Sequence, residues 1–114
     1  MKAYTDLEQS KKLAEILPIK SADMYYDVDS YGVRTTPEVL ITSIVRKKDI
    51  PCWSLVSLLN VIKPINENTY TIRGTLDGGA TISFDEITSV MFQEEEIIDA
   101  VFEMVVWLKE NGKI

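Results

Sequence analysis

The stretch Ile50-Pro51-Cys52-Trp53-Ser54-Leu55-Val56-Ser57-Leu58-Leu59-Asn60-Val61-Ile62 holds no charged residue, in a chain that is 26% charged. Its burial should organise the elements around it. Read as a helix, it begins at Pro51, whose missing N–H is harmless at the first helical position. Asp49 precedes it, where a negative charge meets the positive end of the helix dipole. Pro64 ends it. At about 3.6 residues per turn, Leu55, Leu58, Leu59 and Ile62 form one stripe, with Cys52 at its edge. Ser54, Ser57 and Asn60 form a second stripe, and Trp53 falls on that side. An uncharged helix with an indole on its weaker face is expected to be covered from two directions, which puts Trp53 in the core. The alternative is an exposed Trp53 that anchors a partner.

Downstream, residues 70–76 and 80–84 read as a hairpin. Tyr70, Ile72 and Leu76 alternate with Thr71, Arg73 and Thr75, and Asp77-Gly78-Gly79 suits the turn. Gly74 weakens the first strand and marks a candidate bulge. Residues 87–92 would add another strand. The last element is the longest helix, predicted from Glu94 to Asn111 with Gly112 at its C-terminal cap. Its apolar face is wide: Ile97, Ile98, Val101, Met104, Val105 and Leu108, flanked by Phe102 and Trp107.

Upstream, Thr5-Asp6-Leu7-Glu8 has the capping-box pattern, with Thr5 as the cap and Glu8 three residues on. The helix should run to about residue 16, because Pro18 stops it. Its apolar side is Leu7, Leu13, Ala14 and Leu17. Glu8, Lys11, Lys12 and Glu15 face water, with Glu8 and Lys12 in the favourable i,i+4 order. Residues 24–28 alternate as a short strand, followed by a turn over residues 29–32. Residues 39–45 are rich in Val, Ile and Thr and are read as a strand, although Thr36-Pro37-Glu38 resembles a helix start. The expectation is one α+β domain over residues 1–114, an antiparallel sheet of about four strands packed with three helices, in the order α-β-β-α-β-β-α.

With 114 residues and 46% hydrophobic content, the chain has enough material for one core. No apolar run approaches the roughly 20 residues that span a bilayer, so no membrane partner is expected. The opening residues Met-Lys-Ala-Tyr-Thr-Asp lead into no apolar h-region, and a lone Cys52 makes no internal disulfide. A cytoplasmic location is expected. Acidic residues number 18 against 12 basic ones, a net charge of −6. That balance works against a phosphate backbone, so no nucleic-acid partner is expected. Arg46-Lys47-Lys48 is read as a solvated turn.

The chain has no histidine. Ser-His and Cys-His nucleophile activation and the usual zinc ligand sets are therefore absent. Cys52 near a helix N-terminus would have a lowered pKa, but its apolar neighbours favour a buried structural thiol. Gly74, Gly78 and Gly79 belong to a hairpin, so no phosphate loop is present. Carboxylates are the remaining acid–base groups. Asp27 and Asp29, with Asp23, would offer oxygens to Mg²⁺ in a small metal-dependent enzyme. The blander reading is a strand end and a turn, so no enzyme activity and no cofactor are expected.

Two surfaces stand out instead. The last helix carries Glu95, Glu96, Asp99, Glu103 and Glu110 on one side, with Val106 among them and no basic residue at i+4 on that face. Such a stripe is ordinarily a solvated face. Uncompensated like charge around one apolar residue also suits a basic protein partner. Glu95, Asp99, Glu103, Val106 and Glu110 are the predicted partner face. Tyr25, Tyr26 and Tyr31 cluster in sequence, and strand alternation lets only one of Tyr25 and Tyr26 face the core. Tyr25 and Tyr31, with Trp53, form a second candidate patch. A homodimer would follow from an exposed Trp53 or Trp107.

Three pieces of sequence carry a resemblance: Ala22-Asp23-Met24-Tyr25-Tyr26; Pro51-Cys52-Trp53-Ser54-Leu55 with Leu58-Leu59; and Ile98-Asp99-Ala100-Val101-Phe102-Glu103-Met104. With Thr5-Asp6-Leu7-Glu8-Gln9-Ser10-Lys11, the chain resembles, over most of its length, a family of small proteins abundant in gut Bacteroides-type bacteria, their phages and mobile elements. The resemblance implies a bacterial, intracellular, mobile-element setting and brings no site residue with it. A non-enzymatic protein-interaction module is the expected function, such as a phage or mobile-element accessory or an immunity-type inhibitor of a basic toxin.

Overall fold

Pro51 lies in a strand, not at the start of a helix. A computed structural model describes residues 2–29, 31–33, 36–39, 49–62, 70–74, 80–84 and 90–112, with the backbone alone at 29, 39, 70–74, 80–84 and 90–91. The uncharged stretch divides within itself. Ile50–Cys52 is a strand and Leu55–Ile62 a helix. In chain order the elements are α1 (Leu7–Ile16), a 3-10 turn (Ile19–Ser21), β1 (Met24–Tyr26), β2 (Val28–Asp29), β3 (Gly32–Val33), β4 (Glu38–Val39), β5 (Ile50–Cys52), α2 (Leu55–Ile62), β6 (Tyr70–Gly74), β7 (Ala80–Phe84), β8 (Val90–Glu94) and α3 (Ile97–Glu110). The α+β class, the antiparallel pairing and the three helices agree with the sequence reading. Among the described residues, the strands divide into three groups rather than one sheet.

The first group has the order β4-β1-β5, with Tyr25 opposite Pro51 on one side and Glu38 on the other. Among the described residues β5 is thus an edge, where a residue without an N–H is tolerated. Helix α2 begins later because Ser54 caps it. The Ser54 hydroxyl oxygen accepts the Ser57 N–H at 3.2 Å, and the Leu58 N–H reaches the Ser54 carbonyl at 3.1 Å. Asp23 fixes that cap, accepting the Ser54 N–H at 2.9 Å and the Ser54 hydroxyl. Asp49, expected at the helix start, instead accepts the Val28 N–H at 3.2 Å. The start of the chain runs beside this junction. Tyr4 bridges Ser54, the Thr5 N–H donates to the Trp53 carbonyl at 2.9 Å, and the Leu55 N–H donates to the Ala3 carbonyl at 3.2 Å.

Thr5 is fully buried by these contacts, so it does not cap α1. The box sits one residue later than predicted. Asp6 accepts the Gln9 N–H at 2.8 Å, and the Gln9 side chain accepts the Asp6 N–H at 3.0 Å. Glu8 meets Lys11 at 3.9 Å, an exposed i,i+3 pair worth little. β2 and β3 form a hairpin in which Asp29 pairs with Gly32 across residues 30–31. Gly32, at φ +120°, takes a conformation closed to most side chains. The predicted strand over residues 39–45 lies mostly outside the described residues. Arg46-Lys47-Lys48, Pro64 and the turn predicted at Asp77-Gly78-Gly79 lie outside them altogether.

β6, β7 and β8 form an antiparallel meander, with Gly74 opposite Ala80 and Phe84 opposite Val90. The third strand extends to Glu94, so α3 starts at Ile97, three residues after the predicted start, and runs to Glu110. Gly112, at φ +67°, follows the C-cap Asn111 as a left-handed terminator.

The core lies among the helices. Leu13 and Leu17 from α1 and its end, Leu58 and Ile62 from α2, and Ile98, Val101, Met104, Val105 and Leu108 from α3 are buried together with Trp53. Each such side chain contributes about 1.5–3 kcal/mol by leaving water. Trp53 is 0% exposed, and its indole N–H donates to the Ser21 hydroxyl at 3.0 Å. The inner face of α3 is thus filled by the other helices, while the β7–β8 side of the meander packs on the same helix. Among the described residues, no helix is long and apolar enough to cross a membrane.

Candidate protein-binding face

The acidic side of α3 divides into two halves. In its first turn Asp99 accepts the Lys2 ammonium at 2.7 Å and the Gln9 amide at 2.8 Å. The Lys2 backbone N–H reaches Glu96 at 3.2 Å, and its ammonium also meets Asp6 at 3.1 Å and Gln9 at 3.0 Å. Burial works against the charge on Lys2, but the bonds to Asp99 and Asp6 outweigh it and raise its pKa. Burial likewise opposes ionised Asp6, and its bonds to Gln9 and Lys2 prevail and lower its pKa. Asp99 therefore clasps the start of the chain to α3 and is withdrawn from the predicted partner face. The i+4 rule missed this cation because Lys2 is distant in sequence.

The second half of that side is open. Glu103, Val106 and Glu110 line a groove of about 360 Å³ together with Phe92, Phe102 and Trp107. Lys12 of α1 also borders it. Phe92 of β8 meets Trp107 edge to face, with centroids 6.5 Å apart and planes at 60°. These apolar residues are half-buried and packed against the edge of the core, so the groove floor is fixed from beneath. Three of the five predicted residues come together here. Glu95 is exposed but is not among the groove residues.

Glu103 is the most perturbed group on this face. A hydrogen bond to the Glu94 carboxyl, then burial, then the charges of Glu94 and Asp99 push its pKa up to about 7. Glu103 thus lines an aromatic groove with the carboxyl of Glu94, from β8, as the first cause of its shift. Sequence reasoning missed Phe92, Phe102, Trp107, Glu94 and Lys12. The flanking position of Phe102 and Trp107 on the apolar face was a usable signal. The approach of β8 was not visible in a one-dimensional pattern.

The second predicted patch does not assemble. Trp53 is buried in the core, with its indole N–H satisfied by the Ser21 hydroxyl of the 3-10 turn. Tyr31 is 98% exposed in the β2–β3 turn. Tyr25 donates to Glu38 at 2.8 Å across the β1–β4 pair, and that bond is the first reason its pKa is raised. Tyr26 takes the inward position and donates to the Thr5 carbonyl at 2.8 Å.

Of the three carboxylates of the metal reading, Asp23 has a defined task elsewhere. Both oxygens of Asp23 are engaged by Ser54, so the residue serves the α2 cap. Among the described residues, no group of three or more Asp, Glu or Cys side chains is placed to hold a metal ion. Cys52 lies in β5 rather than at a helix N-terminus. Burial is the first cause of its raised pKa, and its Sγ–H donates to the Thr5 carbonyl at 3.4 Å. A second, larger cavity of about 490 Å³ opens between the 3-10 turn and α2, beside the exposed Val56. Its one carboxylate is Asp23, already committed. Comparison of the chain with family models, curated proteins and solved structures returned no match.

Proposed function

We propose that this protein is a non-enzymatic binding module that takes a basic, partly apolar segment of another protein on the outer face of α3. The observation that carries the reading is the aromatic groove of Phe92, Phe102 and Trp107 bordered by Glu103 and Glu110. Half-buried aromatics supply contact area at low entropic cost, and the acidic border selects against acidic partners. The net charge of −6 adds attraction toward a basic partner at long range. The sequence resemblance supports a bacterial, cytoplasmic setting and a role as a phage or mobile-element accessory or an immunity-type inhibitor.

Binding of a short Leu- and Lys-containing peptide, followed by Trp107 fluorescence, tests the reading. Trp53 is buried and should contribute a constant background. The wild type should bind in a salt-sensitive manner, while Glu103→Lys with Glu110→Lys should lose binding and keep the far-UV spectrum. Equal binding by the variant would reject this face. Asp99 is a poor choice for charge reversal, since its loss would release Lys2 and disturb the fold.

A further inference from the structure

Residues 2–5 lie against the fold and are held there by polar bonds. Their backbone meets residues 53–55 through the Thr5 N–H on the Trp53 carbonyl at 2.9 Å and the Leu55 N–H on the Ala3 carbonyl at 3.2 Å. Thr5 alone among them is buried, and groups from four places converge on it. Its carbonyl accepts from the Tyr26 hydroxyl at 2.8 Å and the Cys52 thiol at 3.4 Å. Its hydroxyl meets the Ser10 hydroxyl at 2.8 Å and accepts the Trp53 N–H at 3.1 Å. Lys2 closes the segment at its other end, with its ammonium on Asp99, Asp6 and Gln9 and its backbone N–H on Glu96.

None of residues 2–5 belongs to the apolar core that joins the three helices and Trp53. Lifting them therefore gives up little apolar burial. Each bond they break is exchanged for one to water, and four residues regain their backbone freedom. What stays behind supports itself. Asp6 keeps its capping box with Gln9, and its carbonyl keeps the Ser10 N–H at 2.8 Å, so α1 retains its start. We propose that residues 2–5 form a latch over Cys52, which swings out about Asp6 while the helices stay packed, and that Lys2 sets how often it opens. The open form gives solvent the Cys52 thiol and the backbone edge of residues 53–55. Salt weakens the part-exposed pair of Lys2 with Asp99, so opening increases with ionic strength. Ionic strength thus controls access to the one cysteine of the chain. The latch does not rest on the groove of α3 and holds whether or not a partner binds there.

The test is alkylation of Cys52 in the intact chain by iodoacetamide, followed by mass spectrometry. Rates are taken over urea concentrations below the unfolding transition, at low and at high salt. Opening of the latch exposes little surface, so the rate should be nearly flat in urea, whereas labelling through global unfolding would rise steeply. High salt should raise the wild-type rate about three- to fivefold. Lys2→Met should label about fivefold faster than wild type at low salt and lose the salt response. A wild-type rate that climbs with urea in step with global unfolding overturns the latch, as does the absence of labelling below the transition. A flat rate that neither salt nor Lys2→Met alters also overturns it, since Lys2 then does not govern access. Should Lys2→Met fail to fold, the urea and salt responses of the wild type still decide.

Discussion

Replacing Glu103 with Gln should make the protein more stable above neutrality and leave it nearly unchanged in mild acid. The folded state raises the Glu103 pKa from 4.5 to about 7, so it binds the proton more tightly than the unfolded chain does. Linkage then fixes the sign. The protonated pair is favourable below about pH 4.5, and that advantage is lost as pH rises to about 7. A shift of that size corresponds to about 3 kcal/mol for a fully desolvated group. Glu103 stands on an open groove, where solvent screening reduces the effect to about 1 kcal/mol. Gln keeps an N–H donor for Glu94 and carries no charge, so the variant should lack this slope. Urea titrations followed by circular dichroism, taken from about pH 5 to about pH 8, measure the difference directly. The variant should gain about 1 kcal/mol at the alkaline end, or about 4 °C in Tm for a domain of this size. Parallel stability curves for wild type and variant would refute the raised pKa of Glu103.

Five further outcomes follow from the packing. Met104→Ala should cost about 2–5 kcal/mol in denaturant titration, because Met104 is fully buried against the other helices. Ser54→Ala should cost about 1 kcal/mol by removing the α2 cap, and Asp23→Asn should cost less, since an amide oxygen still accepts from Ser54. Lys2→Met should cost about 1 kcal/mol at low salt, with the difference shrinking at high salt, as expected of a half-exposed pair with Asp99. Cys52 should react with a thiol reagent only at the rate of opening or unfolding, since it is buried and its thiol is held neutral.

The helical elements were legible where periodicity was long. The face of α3 from Ile97 to Leu108 was read correctly, as was the pairing of residues 70–74 with 80–84. Boundaries failed where two residues competed for one role. Pro51 suits a helix start, but it suits an edge strand equally, and Ser54 with Asp23 makes the stronger cap. Thr5 and Glu8 fit the capping pattern, yet Asp6 and Gln9 take it because Thr5 is drawn under Trp53. The proposed partner face was half legible. Glu103, Val106 and Glu110 lie on one side of one helix, and spacing alone places them. Phe92 arrives from a strand and Lys2 from the start of the chain, and no local pattern encodes either meeting. Trp53 was legible as core from its uncharged surroundings, and that burial is what separates it from Tyr25 and Tyr31 in the second candidate patch.

The clasp of Lys2 on Asp99 joins residues 97 positions apart in the chain. Closing a loop of that length from an unfolded chain costs about 4 kcal/mol in entropy, before any constant term. An ion pair worth about 1 kcal/mol cannot meet that cost alone. The clasp must therefore form last, once the burial of α1, α2 and α3 has already drawn residues 2 and 99 together. During synthesis, Lys2 emerges long before α3 exists and waits without Asp99. The Lys2 contact is then a seal on a finished core, and its loss should speed unfolding while leaving the folding rate almost untouched.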